Sequence, residues 1–219
     1  MDKKELIVDY MPFEITPEQI NESIKNNDGR LVVTGVLQRA EAKNQNGRVY
    51  PRDTLVREAK KYAQIQIAER RALGELDHPD SSVVNLNNVS HNILEMHWKG
   101  DDLSGTVEVL GTPAGNILKE LFKSGIKLGI SSRGLGSVEE IHKGDGYSAN
   151  TEDDNPTVAV QPDFELIAFD FVSNPSTQGA FMSPGQIKES INEGLGTRDG
   201  KCCHDCKVDN IINDIFRGE

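Results

Sequence analysis

Lys127-Leu128-Gly129-Ile130-Ser131-Ser132-Arg133-Gly134-Leu135-Gly136 opens as a short apolar strand and ends with two hydroxyls, a guanidinium and two glycines. Well upstream, Gly74-Glu75-Leu76-Asp77-His78-Pro79 offers an imidazole beside a proline. A base, a hydroxyl and a glycine-rich backbone with accessible N–H groups are what acyl transfer from a peptide requires. Each segment is a weak signal alone, and only a fold could bring them together.

Outward from this pair, the chain alternates strands with a few helices. Leu31–Arg39 is short and β-branched and reads as a buried strand. Asp53–Leu73 carries Leu55, Val56, Ala59, Tyr62, Ala63 and Ile67 at helical spacing, and Gly74 is expected to end that helix. Ile93–Trp98 and Leu103–Leu110, separated by Lys99–Asp102, read as a β-hairpin. Pro113–Lys123 reads as a second long helix, with Thr112 as cap and Ile117, Leu118, Leu121 and Phe122 as its inner face. Asp163–Val172 is the last clear strand. Interleaved strands and two helices predict an α+β fold, a closed or half-closed, mainly antiparallel β-barrel flanked by helices.

The same patterns divide the chain into three regions. Residues 1–30 read as a polar, propeptide-like appendage with a short helix capped by Thr16 and Pro17. Residues 31–182 form the main domain, and 183–219 a Gly-rich polar tail ending in the amphipathic stretch Val208–Phe216. The 24 basic and 35 acidic residues give a net charge of −11, which argues against binding a phosphate backbone. No apolar run approaches the length of a membrane span, and no signal-peptide pattern opens the chain, so a cytoplasmic location is expected. The three cysteines cluster at Cys202, Cys203 and Cys206 around His204. A reduced, exposed tail is preferred there over a zinc site, because adjacent cysteines aim poorly at one ion. No metal or other cofactor is expected.

Taken jointly and in order, Arg48-Val49-Tyr50-Pro51, Gly74–Pro79, Trp98-Lys99-Gly100 and Gly129–Gly136 resemble the prohead maturation proteases of contractile-tailed bacteriophages. That family is distantly similar to herpesvirus assemblins, so the resemblance implies a herpesvirus-protease-like barrel over about residues 31–182. It also implies a serine endopeptidase acting inside an assembling viral procapsid in the host cytoplasm. Its substrates would be scaffold and capsid proteins and its own chain, with no nucleic acid or membrane partner; a homo-oligomer is left open.

Under this resemblance Ser131 is the nucleophile and His78 its general base. Asp170, the acid at the centre of an apolar strand, would orient the imidazole; herpesvirus enzymes use a second histidine there. Glu165 is the rival acid, and strand alternation puts it on the face opposite Asp170. Backbone N–H groups of Ser132, Arg133 and Gly134 would receive the oxyanion, with Arg133 acting directly or through water, or else forming a surface salt bridge. His91, His97 and His142 lack a motif and read as surface residues.

The family's preference for Leu or Ile, any residue, Glu, then a small residue is met at Ile20–Ser23, Ile187–Ser190 and Ile191–Gly194. Self-cleavage is therefore expected after Glu22, Glu189 and Glu193, in segments read as exposed tails, and Val208–Phe216 would recruit the zymogen. Two alternatives come from other classes. One is an inactive procapsid scaffold or core protein with the same fold; the other is a zinc-dependent binding module at Cys202–Cys206.

Overall fold

The computed structural model describes residues 5–13, 16–44, 46–79, 81–126, 128–141, 157–173 and 182–184. In chain order the first strands are β1 (Glu5–Phe13), β2 (Leu31–Arg39), β3 (Arg48–Val49), β4 (Leu73–Glu75), β5 (Val89–Lys99) and β6 (Asp102–Val109). They are followed by β7 (Leu128–Gly136), β8 (Val138–Glu140), β9 (Val158–Val160), β10 (Glu165–Val172) and β11 (Met182–Pro184). The helices are α1 (Pro17–Asn26), α2 (Arg52–Tyr62) and α3 (Pro113–Lys123).

These strands form three sheets with orders β1-β7-β10, β11-β2-β6-β5-β4 and β3-β9-β8. All pairs are antiparallel except β3 with β9. The α+β class is as expected, but among the described residues no closed barrel forms. Closure would need a ladder between β4 and β10, and only a single bridge, Leu76 to Phe171, joins them. At that edge the Glu75 N–H is given to the Asp170 carboxylate rather than to a backbone carbonyl, and no ladder joins the other two edges, β1 and β11, among the described residues. Beyond it, Asp77 turns the chain away with φ 71°.

The expected β5–β6 hairpin is present, and Gly100 turns it at φ 61°, a conformation glycine adopts without strain. Arg52 donates to the Gly100 carbonyl at 2.7 Å and lies 4.8 Å from the centre of the Trp98 ring, tying this turn to α2. Thr112 caps α3 as expected, through the Gly115 N–H. Ile117, however, is 55% exposed rather than part of the inner face, which Ala114, Leu118 and Phe122 supply. No helix among the described residues is long and apolar enough to cross a membrane.

Among the described N-terminal residues, β1 and α1 pack against the rest of the fold. Strand β1 pairs along the whole of β7, and Ile7 and Ile20 lie in the hydrophobic core. Helix α1 carries the expected Thr16 cap, completed into a capping box by Gln19. Its Ser23 is 2% exposed, donates to the Val32 carbonyl at 2.6 Å and accepts from the Val32 N–H at 3.0 Å.

The long helix expected up to Leu73 stops sooner. Regular α2 ends at Tyr62, a π-helical stretch occupies Ala63–Ile67, and Gly74 lies inside β4. Gly74 is required there by proximity, not as a helix stop. A Cβ on it would stand 2.0 Å from the Phe169 carbonyl oxygen and 2.2 Å from His91 Nε2. His91 is a core residue, correcting the surface expectation, whereas His97 is exposed and His142 lies outside the described residues.

The His91 ring donates from Nε2 to the Phe169 carbonyl at 2.9 Å and takes the Ser90 hydroxyl at Nδ1, 2.8 Å away. Burial pulls the imidazole down from 6.5 to about 4. The unfolded chain thus binds a proton that the folded chain refuses. This interaction costs nothing above pH 6.5; stability falls as pH drops below 6.5 and levels off near 4, at about 1.4 kcal/mol per pH unit. Asp170 is held below the ordinary carboxylate value, so it does not shape that slope in the way His91 does. Denaturant titrations of wild type and His91→Gln over this range should show the slope in wild type and its loss in the variant. Gly74→Ala should lower stability by about 3 kcal/mol at every pH, because the Phe169 carbonyl and the buried, hydrogen-bonded His91 ring both block the new methyl group.

Candidate active site

Strands β7 and β10 run antiparallel with Asp170 directly opposite Ser131. Opposed residues share a face of a sheet, and so do residues two apart on one strand. Ser131, Arg133 and Asp170 therefore point to one side, while Ser132 points to the other. His78 arrives on the loop after β4. Asp77 positions that loop by donating its N–H to the Phe171 carbonyl at 2.8 Å and by accepting the His78 N–H on Oδ1 at 2.9 Å.

The three side chains form one continuous line. His78 Nε2 is 2.7 Å from Ser131 Oγ, and His78 Nδ1 is 3.1 Å from Asp170 Oδ2. An ionised carboxylate can only accept, so Nδ1 carries the proton and Nε2 is left as the acceptor facing the hydroxyl. Ser131 and Asp170 are fully buried, and the His78 side chain is 19% exposed.

Asp170 receives four hydrogen bonds. Oδ1 takes the Glu75 N–H at 2.9 Å and Arg133 Nη2 at 3.2 Å; Oδ2 takes His78 Nδ1 and, at 2.8 Å, Arg133 Nε. Burial by itself would raise this carboxyl. The His78 hydrogen bond, the Arg133 charge and the Glu75 amide outweigh it and hold Asp170 below the ordinary carboxylate value. The site thus presents an oriented imidazole beside a buried carboxylate, an arrangement able to take a proton from the Ser131 hydroxyl and stabilise the resulting imidazolium.

Arg133 departs from both expectations for it. It is completely buried, not on the surface, and its guanidinium is locked onto Asp170, Glu75 Oε1 at 3.0 Å and the Ser81 carbonyl at 2.6 Å rather than open to an oxyanion. Ser132 accepts from Gln38 Nε2 at 2.8 Å, tying β7 to β2. Gly134 makes room for Phe164, whose ring lies 2.3 Å from where a Cβ would be. The amides of Ser132–Gly134 sit in a strand flanked on both sides by ladders to β1 and β10.

Glu165 does not face Ser131, but simple alternation is not the reason. A bulge between Leu166 and Ala168 restores the face, so that Glu165 pairs with Leu135, a position in phase with Ser131. Four residues along a strand is about 13 Å, and that distance excludes it. Glu22 is exposed on α1, within a helix rather than a flexible tail; Glu189, Glu193 and the Cys202–Cys206 cluster lie outside the described residues. Sequence reasoning missed Glu75 and Gln38. Glu75 lay inside the Gly74–Pro79 motif, but nothing in its spacing separated it from Asp77.

A family model described as prohead core protein serine protease matches residues 4–192. The chain is 32% identical over 176 residues to the prohead core protein protease of Enterobacteria phage T4, covering 76% of this chain and 78% of that one. Among solved structures, the bacteriophage T4 capsid assembly protease matches with a TM-score of 0.63 at 27% identity, covering 79% of this chain and 100% of the other. With the family model spanning most of the sequence and the phage T4 protease 32% identical over 176 residues, the chain belongs to the prohead core protein serine protease family.

Proposed function

We propose that this protease is a serine endopeptidase of procapsid maturation, with Ser131 as nucleophile, His78 as general base and Asp170 as the group that orients and charge-stabilises His78. The single observation carrying this reading is the hydrogen-bonded line from Ser131 through His78 to Asp170, at 2.7 and 3.1 Å. Ser131 Oγ attacks the scissile carbonyl carbon as its proton passes to His78 Nε2. That proton then goes to the departing amine, and water repeats the sequence on the acyl-enzyme. Substrates are scaffold and capsid proteins, in keeping with the role named for the T4 relatives, cut after Glu in the Leu/Ile-x-Glu-small pattern.

Self-processing fits the placement of β1. A cut after Glu22 severs β1 from the body, and β1 covers one whole edge of β7, with Tyr10 opposite Ser131. Its departure would free main-chain groups beside the nucleophile, as oxyanion donors and as an edge for an extended substrate. The complete burial of Ser131 in the intact chain agrees with a latent form. Cleavage after Glu189 or Glu193 would remove most of the tail from 183 onward, including the recruiting stretch Val208–Phe216.

Intact-mass measurement after expression tests this reading: wild type should lose residues 1–22 and the segment after Glu189 or Glu193. Ser131→Ala, with turnover down by about 10⁴-fold or more, should keep full mass. Processing in Ser131→Ala alone, without added enzyme, overturns the assignment. The Glu22–Ser23 bond lies in α1 and Ser23 is anchored to Val32, so cutting there requires the helix to open first. Thr16→Ala removes the cap, worth about 1 kcal/mol, and should speed the Glu22 cut about fivefold while leaving the C-terminal cut at its wild-type rate.

A further inference from the structure

Glu75 is as deeply buried as the Arg133 guanidinium it faces, both side chains being 0% exposed. Its Oε1 takes Arg133 Nη2 and the Asn85 N–H, each at 3.0 Å, while Oε2 is buried with no hydrogen-bond partner. A buried carboxylate with an orphaned oxygen is a poor way to stabilise a core, since an apolar side chain of similar volume usually does as well or better. Its position suggests another use. Arg133 and Asp170 alone make a neutral pair, so the guanidinium offsets part of the stabilisation that Asp170 gives a positive charge on His78.

We propose that Glu75 is a positioning residue that acts through Arg133: by sharing the guanidinium with Asp170 it leaves the buried cluster one negative charge in excess, which favours charging of His78 as it takes the Ser131 proton. The inference rests on the catalytic reading above. The surrounding elements add no competing charge. His91 on β5 and Tyr62 at the end of α2 are both kept neutral by burial, the first pulled down to about 4 and the second pushed far up. Asp77, beside His78, is exposed and screened by water. Among the described residues the balance at His78 is therefore set by Asp170, Arg133 and Glu75.

The test follows the rate at which a fluorophosphonate probe labels Ser131 in the expressed protein, before and after loss of residues 1–22, mapped by mass spectrometry across pH. Glu75→Gln keeps the shape and removes the charge, so labelling should slow about 10- to 100-fold and its acid limb should move to lower pH. Arg133→Gln should move that limb to higher pH, and the double variant Glu75→Gln/Arg133→Gln, which restores the net charge, should bring it back toward wild type. A purely structural role would change the labelled fraction without moving the limb. Coincident limbs in all folded variants with Ser131 still labelled would overturn the role of Glu75 and leave the serine mechanism standing. Absence of labelling at Ser131 in wild type, before and after loss of residues 1–22, would overturn both.

Discussion

The site depends on a carboxylate that has been taken out of water and compensated by hydrogen bonds. Burial pushes Asp170 toward its neutral form, in which it could neither fix the His78 tautomer nor anchor Arg133. Four donors, drawn from β4, β7 and the loop beyond β4, reverse that tendency. Because the donors come from separate elements, the ionised state of one side chain requires the sheet containing β7 and β10 to sit against the end of β4. Loss of any one element would leave a buried charge underpaired, which is among the more damaging events a core can suffer.

The gap between β4 and β10 adjoins the same interaction. A complete ladder between β4 and β10 would join two sheets, but the backbone at Glu75 serves the Asp170 side chain instead. Beside that gap, Gly74 lets β4 approach the Phe169 carbonyl, and His91 holds this carbonyl one residue before the acid.

Local chemistry made much of this legible in the sequence. Leu31–Arg39, the β5–β6 hairpin, the Thr112 cap of α3 and the strand holding Asp170 all announce themselves by periodicity, capping and turn residues. The grouping of Ser131, His78 and Asp170 was legible only through family resemblance, since nothing in their spacing requires contact. What escaped depends on tertiary context. β1 looks dispensable because its partner lies more than a hundred residues away, and Gly74 reads as a helix stop because the atoms that demand glycine belong to Phe169 and His91. Ile117 fits the apolar stripe of α3, yet the neighbouring elements stop short of covering it.

The extra residue at Ile167 in β10 has a wider consequence. Upstream of it the strand answers to Phe164, wedged against Gly134 and Gly136; downstream it answers to the alignment of Asp170 with Ser131. The irregularity works as a mechanical joint between these demands, so the outer end can drift over evolutionary time, changing size and charge, without transmitting a slip to the reacting atoms.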